Sequence, residues 1–188
     1  VISSQLSQNS GPPKTISDSC YDQSPPQASL TILPVGTKTL CQVNKIGKDG
    51  IIYANLVNDL KNLKKFEQLI EKTYTRNIRP EIDYKFPPEK VQIGRMAVYI
   101  SIEGDFSRVR IIDVQQNQNQ NNQYPILVQN VDRGTFQNVK LEELRTIFSS
   151  EIMNQPEFMY KIQFANHNEI ECQYSVGEKY MLPHFRTT

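Results

Sequence analysis

The chain has 188 residues, enough for one ordinary domain or a compact composite of two small ones. Lys and Arg number 21 against 20 Asp and Glu, and this near-neutral balance disfavours a protein that binds nucleic acid by neutralising phosphates. No apolar run approaches the roughly 18 residues of a membrane-spanning helix. These properties predict a soluble domain with no membrane partner.

Cysteines and histidines give no sign of a reactive site. The three cysteines, Cys20, Cys41 and Cys172, are odd in number and far apart. They form neither a disulfide framework nor a CxxC metal pair, which is typical of a reducing intracellular compartment. His167 and His184 lie in no catalytic motif, and the Walker, GxSxG and HExxH patterns do not occur in the sequence. We therefore expect no enzymatic activity, no metal and no cofactor.

The N-terminal half predicts an arm, a hairpin and a long helix. Residues 1–31 are rich in Ser and Pro with a single aromatic, so they are expected to be a flexible arm, either a passive linker or a segment that lies along the domain. Residues 39–46 and 51–57 flank the turn signal Gly47–Gly50, a pattern typical of a β-hairpin. A helical stripe follows, formed by Leu60, Leu63, Phe66, Ile70 and Tyr74.

Beyond a Pro-containing connector the hydrophobic period becomes two. Short strands at close spacing favour a small antiparallel barrel, because closure removes unpaired edges. Helical or irregular structure is expected from Leu144, and further strands at 158–164 and 169–174. The four predicted barrel strands are 96–102, 106–114, 124–131 and 135–141, with nine consecutive Gln and Asn residues (115–123) between the second and the third.

This order of elements resembles the extended Tudor domain, in which a Tudor barrel is inserted into an oligonucleotide-fold (OB) module similar to staphylococcal nuclease (SN-like). Residues 41–74 are similar to the family's opening hairpin and bridging helix. The motifs that carry the resemblance in the barrel are Gly94, the Glu103–Phe106 turn, Arg108, Arg110, Val131–Gly134 (the family's "DYG" turn) and Leu144–Arg145 (its "LR").

The resemblance implies a fold that is mainly β with helices, a Tudor (SH3-like) β-barrel joined by a long helix to a split SN-like/OB-fold module. The implied boundaries are 1–31 for the arm, 32–58 for the first part of the SN-like module, 59–78 for the bridging helix, 91–148 for the Tudor barrel and 149–188 for the second part of the module.

The family binds arginine-rich peptides, often symmetrically dimethylated, in a cage of aromatic faces that attract the cation and bury its methyl groups. This sequence lacks the matching side chains. A shift of register recruits Tyr99, Phe106 or Phe136 but does not assemble four walls, so the resemblance implies a degenerate cage that does not select methylarginine. The residues at the cage positions are Ser101, Ser107 (preceded by Phe106), Asn130, Arg133 and Thr135.

Charged residues beside the degenerate cage offer another way to hold a peptide. Glu103 and Asp105 are the candidate partners of an unmodified arginine, because a guanidinium fork bonds a carboxylate at two points; solvated turn residues are the alternative. Asp132 precedes a tight turn and is expected to bond nearby backbone. Arg133 is either a solvated charge or a contact for an acidic or carbonyl-rich partner. The complete set of candidate site residues is Ser101, Glu103, Asp105, Phe106, Ser107, Asn130, Asp132, Arg133, Thr135 and Phe136.

The resemblance implies a peptide-binding scaffold of the piRNA pathway. Its expected partner is the arginine-rich tail of a PIWI-type Argonaute, and its expected location a cytoplasmic, perinuclear germ granule. Two alternatives stay open. Self-association, or another scaffold function, is compatible with the Gln/Asn run. Single-stranded RNA binding is compatible with the helix lysines Lys61, Lys64, Lys65 and Lys72, although Glu67 and Glu71 interleave with them.

Overall fold

The computed structural model of the chain describes residues 38–48, 51–77, 84–114, 125–163 and 174–183. The predicted arm, the Gln/Asn run and all but Tyr174 of the strand predicted at 169–174 lie outside these residues. In chain order the elements are β1 (Lys38–Ile46), β2 (Ile51–Leu56), α1 (Leu60–Asn77), β3 (Met96–Ile100), β4 (Phe106–Val114), β5 (Ile126–Asn130), β6 (Phe136–Val139), β7 (Leu144–Arg145), α2 (Ser150–Asn154), β8 (Met159–Gln163) and β9 (Lys179–Pro183).

The first sheet is built on the predicted hairpin, which is confirmed. Its strand order is β8-β2-β1-β9, and every neighbouring pair is antiparallel. Strand β8 coincides with the strand predicted at 158–164. Strand β9 was not predicted, because its alternation is carried by few residues: Leu182 is buried, whereas Met181 is 55% exposed. One face of the sheet forms a core from Cys41, Val43, Ile52, Ala54 and Leu182.

Helix α1 matches the helix predicted from the apolar stripe. Leu63, Phe66, Ile70 and Tyr74 are all buried on one side of it. The Tyr74 hydroxyl donates to the Thr146 carbonyl at 2.6 Å, so the polar end of this buried ring is satisfied. Neither helix in the described part of the chain is long and apolar enough to cross a membrane.

The second sheet contains the four predicted barrel strands and one more. Its order is β6-β5-β4-β3-β7. The prediction of helical or irregular structure from Leu144 was wrong at its start, because Leu144–Arg145 pairs with β3 as strand β7. Two residues are too few to show a periodicity. A hydrophobic core on one face of this sheet consists of Phe86, Ala97, Val109, Ile111, Ile126, Val128, Val139 and Leu144.

Helix α1 packs on the opposite face of the second sheet. Along β3 the side chains alternate, with Ala97 in the sheet's own core and Met96 and Val98 in a separate cluster with the helix. Both faces of this strand are therefore buried. The cluster that joins the helix, the sheet and α2 is Phe66, Ile70, Tyr74, Met96, Val98, Val131, Ile147, Ile152 and Met153. The helix is held in place by this burial of apolar surface.

The turn between β5 and β6 lies directly on the first sheet. Asn55 on β2 donates to the Asp132 carbonyl at 2.8 Å, and Asn44 on β1 donates to the Arg133 carbonyl at 2.9 Å. Gly134 has a φ of +75°, and a Cβ at this position would lie 2.6 Å from the Cβ of Tyr53. The approach of this turn to the first sheet therefore requires glycine in both conformation and volume.

We predict that Gly134→Ala destabilises the fold more than Gly104→Ala. Both glycines have positive φ, but a Cβ at Gly104 would meet no atom within 4 Å. The left-handed backbone costs about 1 kcal/mol at either position. Only Gly134→Ala adds overpacking against Tyr53, a further 1–3 kcal/mol or so. Urea unfolding of both variants measures this difference, and equal losses of free energy would show that the turn does not constrain the first sheet.

Candidate functional site

An open groove of about 890 Å³ runs between helix α1 and the second sheet. One wall is the exposed side of α1, and the other is the turn that joins β3 to β4. Its floor and ends come from neighbouring strands and turns. The lining residues are Lys64, Glu67, Gln68 and Glu71 from the helix, the segment 101–107 from the turn, and Tyr99, Asn130, Arg133, Thr135, Gln137 and Glu143 from the rest of the sheet.

Most of the candidate residues predicted from the sequence meet in this groove. Those that line it are Ser101, Glu103, Asp105, Phe106, Ser107, Asn130, Arg133 and Thr135. The helix wall was not anticipated as part of a site, since Glu67 and Glu71 were interpreted only as part of a mixed-charge surface. Their spacing of four residues is the signal that places both on one strip of the helix, directly beside the buried stripe.

The Ser101 side chain shapes the turn between β3 and β4. Its hydroxyl accepts the Asp105 N–H at 2.9 Å, and its own N–H donates to the Asp105 carbonyl at 2.9 Å. Gly104, with φ of +91°, donates its N–H to the Ser101 carbonyl at 3.0 Å. This closed turn holds Glu103 and Asp105 exposed at the groove edge. Neither carboxylate forms an ion pair within the described part of the chain.

The groove is electrically negative. Five carboxylates line it against two cations, Lys64 and Arg133. Burial, and after it the charges of Glu143, Asp105 and Glu103, raise the pKa of Tyr99. Glu143 is partly engaged, as it accepts the Lys140 N–H at 2.7 Å. The arrangement favours a cationic ligand.

The sequence left Arg133 either as a solvated charge or as a contact for an acidic or carbonyl-rich partner; in the structure its partly exposed side chain pairs with an acidic residue of the domain itself. Its Nε and one Nη donate to the two carboxylate oxygens of Glu67, at 2.6 and 2.9 Å. The hydrogen bonds to Glu67 are the main cause that raises the pKa of Arg133, while burial opposes them. The pair joins the β5–β6 turn to helix α1 across the groove.

Two aromatic side chains, Tyr99 and Phe106, line the groove among the described residues. Tyr99 packs partly against the core of the second sheet, and Phe106 partly against the cluster beneath α1. Phe136, a candidate from the sequence, does not line the groove. Its ring packs edge-on against Tyr53, with the ring centroids 5.6 Å apart, and Lys45 Nζ lies 4.0 Å from the centre of the ring. Phe136 points away from the groove because side chains alternate along a strand, and its neighbours Thr135 and Gln137 line the groove.

No cluster of three or more His, Cys, Asp or Glu side chains that could hold a metal ion occurs among the residues that the structure describes. The groove offers carboxylates, two rings and amide groups, which suit recognition of a cation.

Comparison with known proteins identifies the family. The family model described as Tudor domain matches residues 33–166, well over half of the chain. The chain belongs to the Tudor domain family. A search of curated proteins found no match.

Solved structures show that the fold is that of extended Tudor domains. Those of BmPAPI, Drosophila melanogaster Papi and human TDRD1 superpose on this domain with TM-scores of 0.59. Identities are 16%, 14% and 21%, over 69%, 69% and 80% of this chain. The matches cover 63%, 63% and 66% of those chains, so this Tudor domain spans less than two thirds of their length.

Several of these structures contain ligands. Human TDRD1 was solved with a symmetrically dimethylated peptide, and BmPAPI with sDMA. A mutant Papi extended Tudor domain was solved with an unmethylated Piwi N-terminal peptide and with a dimethylated one.

Asp132 is excluded from the groove of this Tudor domain by Arg108. Arg108 Nε donates to Asp132 Oδ2 at 3.2 Å, and Nη2 donates to Oδ1 at 2.7 Å, with both side chains buried. Asp132 also accepts the Phe158 N–H at 3.3 Å. Burial raises the pKa of Asp132, and the Arg108 guanidinium opposes that shift. Asp132 thus has a structural role, as expected, but its carboxylate bonds Arg108 and the Phe158 N–H instead of nearby backbone.

The other N–H groups of Arg108 bind carbonyls of α2 and of the segment that follows it. Nη1 donates to the carbonyls of Ile152, at 3.0 Å, and Gln155, and Nη2 donates to that of Pro156, at 3.1 Å. All five guanidinium donors therefore have acceptors. The guanidinium carbon also lies 4.9 Å from the centre of the Phe66 ring on α1. In the sequence Arg108 stands out only as part of a motif, and this buried role was not predicted.

We predict that Asp132→Asn lowers the free energy of unfolding of the Tudor domain by about 3–5 kcal/mol. Asparagine keeps the shape but leaves the buried Arg108 charge uncompensated. Asp113→Asn is the matched control, because Asp113 is exposed and, among the described residues, accepts only its neighbour's N–H; it should change stability by less than about 0.5 kcal/mol. Chemical denaturation measures both, and a small loss for Asp132→Asn would contradict the structural role assigned to the pair.

Proposed function

We propose that this Tudor domain is a non-catalytic module that binds an arginine-rich peptide in the groove between α1 and the β3–β4 turn. The observation that carries the proposal is the presence on both walls of exposed carboxylates that form no ion pair among the described residues, Glu71 on the helix and Glu103 and Asp105 on the turn. Guanidinium groups are the cations best matched to this lining, since they form two-point hydrogen bonds with carboxylates and stack on rings such as Tyr99 and Phe106.

The ligands seen with relatives point to the source of the peptide. Extended Tudor domains of the same fold bind Piwi N-terminal or other arginine-containing peptides. We propose accordingly that the partner is the arginine-rich N-terminal tail of a PIWI-type Argonaute. A tail of that kind would bring this domain to the cytoplasmic, perinuclear granules of the germline, as a scaffold of RNA silencing.

Recognition is proposed not to depend on arginine methylation. Symmetric dimethylation removes two of the five N–H donors of a guanidinium and replaces them with methyl groups. Its benefit comes from apolar and aromatic faces that bury those methyl groups. At the family's cage positions this domain carries polar or charged side chains such as Ser107, Asn130 and Thr135. Carboxylates accept hydrogen bonds from the N–H groups that methylation removes. The unmodified arginine therefore has the advantage in this groove.

RNA is disfavoured by the same electrostatics. Lys64 lines the groove, but it is accompanied there by Glu67 and Glu71 on the same helix. A groove with an excess of carboxylates repels a phosphate backbone. Fluorescence anisotropy with single-stranded RNA at two salt concentrations tests this point. Tight, salt-sensitive binding would favour the RNA-binding alternative, and self-association detected by sedimentation without peptide binding would favour the scaffold alternative.

We predict that an unmodified arginine-rich peptide binds at least as tightly as its symmetrically dimethylated form, within about threefold. Isothermal titration calorimetry with the two peptides measures this difference.

Replacing both turn carboxylates, with Glu103→Gln and Asp105→Asn together, should weaken binding by roughly tenfold or more, because charge-assisted hydrogen bonds are lost. Glu89→Gln is the control, since it removes an exposed carboxylate that does not line the groove. Isothermal titration calorimetry measures these affinities.

Two results would contradict the proposal. A dimethylated peptide that binds at least about tenfold more tightly than the unmodified one would show that methyl groups are recognised. Equal affinity of wild type and the double variant would show that the turn carboxylates do not hold the peptide.

A further inference from the structure

The groove already holds a guanidinium that belongs to the domain itself. Arg133 forms a two-point contact with both oxygens of Glu67, at 2.6 and 2.9 Å. This is the geometry with which a peptide arginine would engage a groove carboxylate. Building on the proposed function, we infer that Arg133 is an internal competitor of the peptide's arginine, which occupies Glu67 in the free domain and limits the affinity of the groove.

The backbone of Arg133 is fixed, so its guanidinium is delivered to the groove in advance. Its N–H donates to Asn130 Oδ1 at 3.0 Å, and its carbonyl accepts Asn44 Nδ2 at 2.9 Å. On one side Asp132 is buried against Arg108, and on the other Gly134 packs on Tyr53. Only the side chain beyond this anchored turn is able to exchange partners. A pre-organised contact of this kind costs little conformational entropy to form.

The ion pair is nevertheless exposed enough to be displaced. The Arg133 side chain is 44% exposed and that of Glu67 is 28% exposed. Ion pairs in contact with solvent contribute little to stability. An incoming arginine also meets Glu71, Glu103 and Asp105, which have no ion-pair partner in the described part of the chain. It can therefore take over Glu67 and leave Arg133 to the solvent. As long as Arg133 stays paired with Glu67, it places a positive charge where the arginine of the peptide has to approach.

This role makes the two partners of one ion pair act in opposite directions. Removing the guanidinium, with Arg133→Gln, releases Glu67 for the peptide and deletes a repulsive charge. Removing the carboxylate, with Glu67→Gln, deletes an acceptor and leaves the Arg133 charge unpaired in the groove. If the pair served only to hold helix α1 against the turn, both variants would weaken peptide binding together.

Calorimetric titration with an unmodified arginine-rich peptide at one fixed ionic strength tests the inference. Arg133→Gln should bind about three- to tenfold more tightly than wild type, and Glu67→Gln about threefold or more weakly. Arg133→Lys keeps the charge without the fork and should fall between wild type and Arg133→Gln. Lys161→Gln makes the same change of net charge at an exposed position outside the groove and should leave affinity unchanged. Thermal unfolding of each variant checks that its fold is intact.

Failure of the inference and failure of the proposed function give different results. If wild type binds the peptide but Arg133→Gln is unchanged or weaker, Arg133 is not a competitor and the proposed function stands. If neither wild type nor Arg133→Gln binds, the proposed function fails and the inference fails with it. If Arg133→Gln binds where wild type does not, the internal competitor is supported in its strongest form.

Discussion

The architecture of this Tudor domain depends on a single buried guanidinium. Arg108 is fully buried on β4, and its five donors reach the Asp132 carboxylate and three carbonyls that lie within helix α2 or just after it. An isolated charge at this depth would be strongly unfavourable, so the segments that neutralise it must come together when the domain folds. Arg108 thereby joins the second sheet, the β5–β6 turn and the segment that leads into the first sheet.

The groove follows from this arrangement. Strand β4 carries Arg108 into the interior and begins with Phe106 and Ser107 at the groove. Asp132 is held inside by Arg108, and the next residue, Arg133, faces the helix wall through Glu67. The buried pair and the exposed pair are thus neighbours along the chain with different tasks. One sets where the turn lies, and the other sets the charge that a ligand meets there.

Local periodicity made most of the fold predictable from the sequence. The hairpin, helix α1 and four strands of the second sheet each present several apolar residues at the right spacing. Strands β7 and β9 did not, because Leu144 and Leu182 are single buried residues in short segments. The role of Arg108 was hidden for a different reason. Its carbonyl partners lie 44 to 48 positions away along the chain. No sequence motif predicts the backbone conformation of the segment that contains them.

The part of the site formed by residues close in sequence was predictable, whereas the contacts between residues far apart in sequence were not. Glu103, Asp105 and the turn that presents them are close in sequence, so their cluster could be inferred. The contact between Arg133 and Glu67 joins residues 66 positions apart, and no pairwise pattern in one sequence reveals it. Phe136 was expected near the ligand because of its chain position. Side chains of a strand alternate between two faces. Because Thr135 and Gln137 face the groove, the Phe136 side chain between them points the other way, toward Tyr53.

An arginine-rich peptide is proposed to lie in the carboxylate-lined groove, and mapping the residues that it contacts tests this most directly. Titration of ¹⁵N-labelled domain with the unmodified peptide should perturb the backbone amides of residues 64–71 on α1 and 101–107 on the β3–β4 turn. The amides of β8 and β9, on the first sheet, should be unaffected. Perturbations confined to β8 and β9, with the groove amides unchanged, would contradict the account.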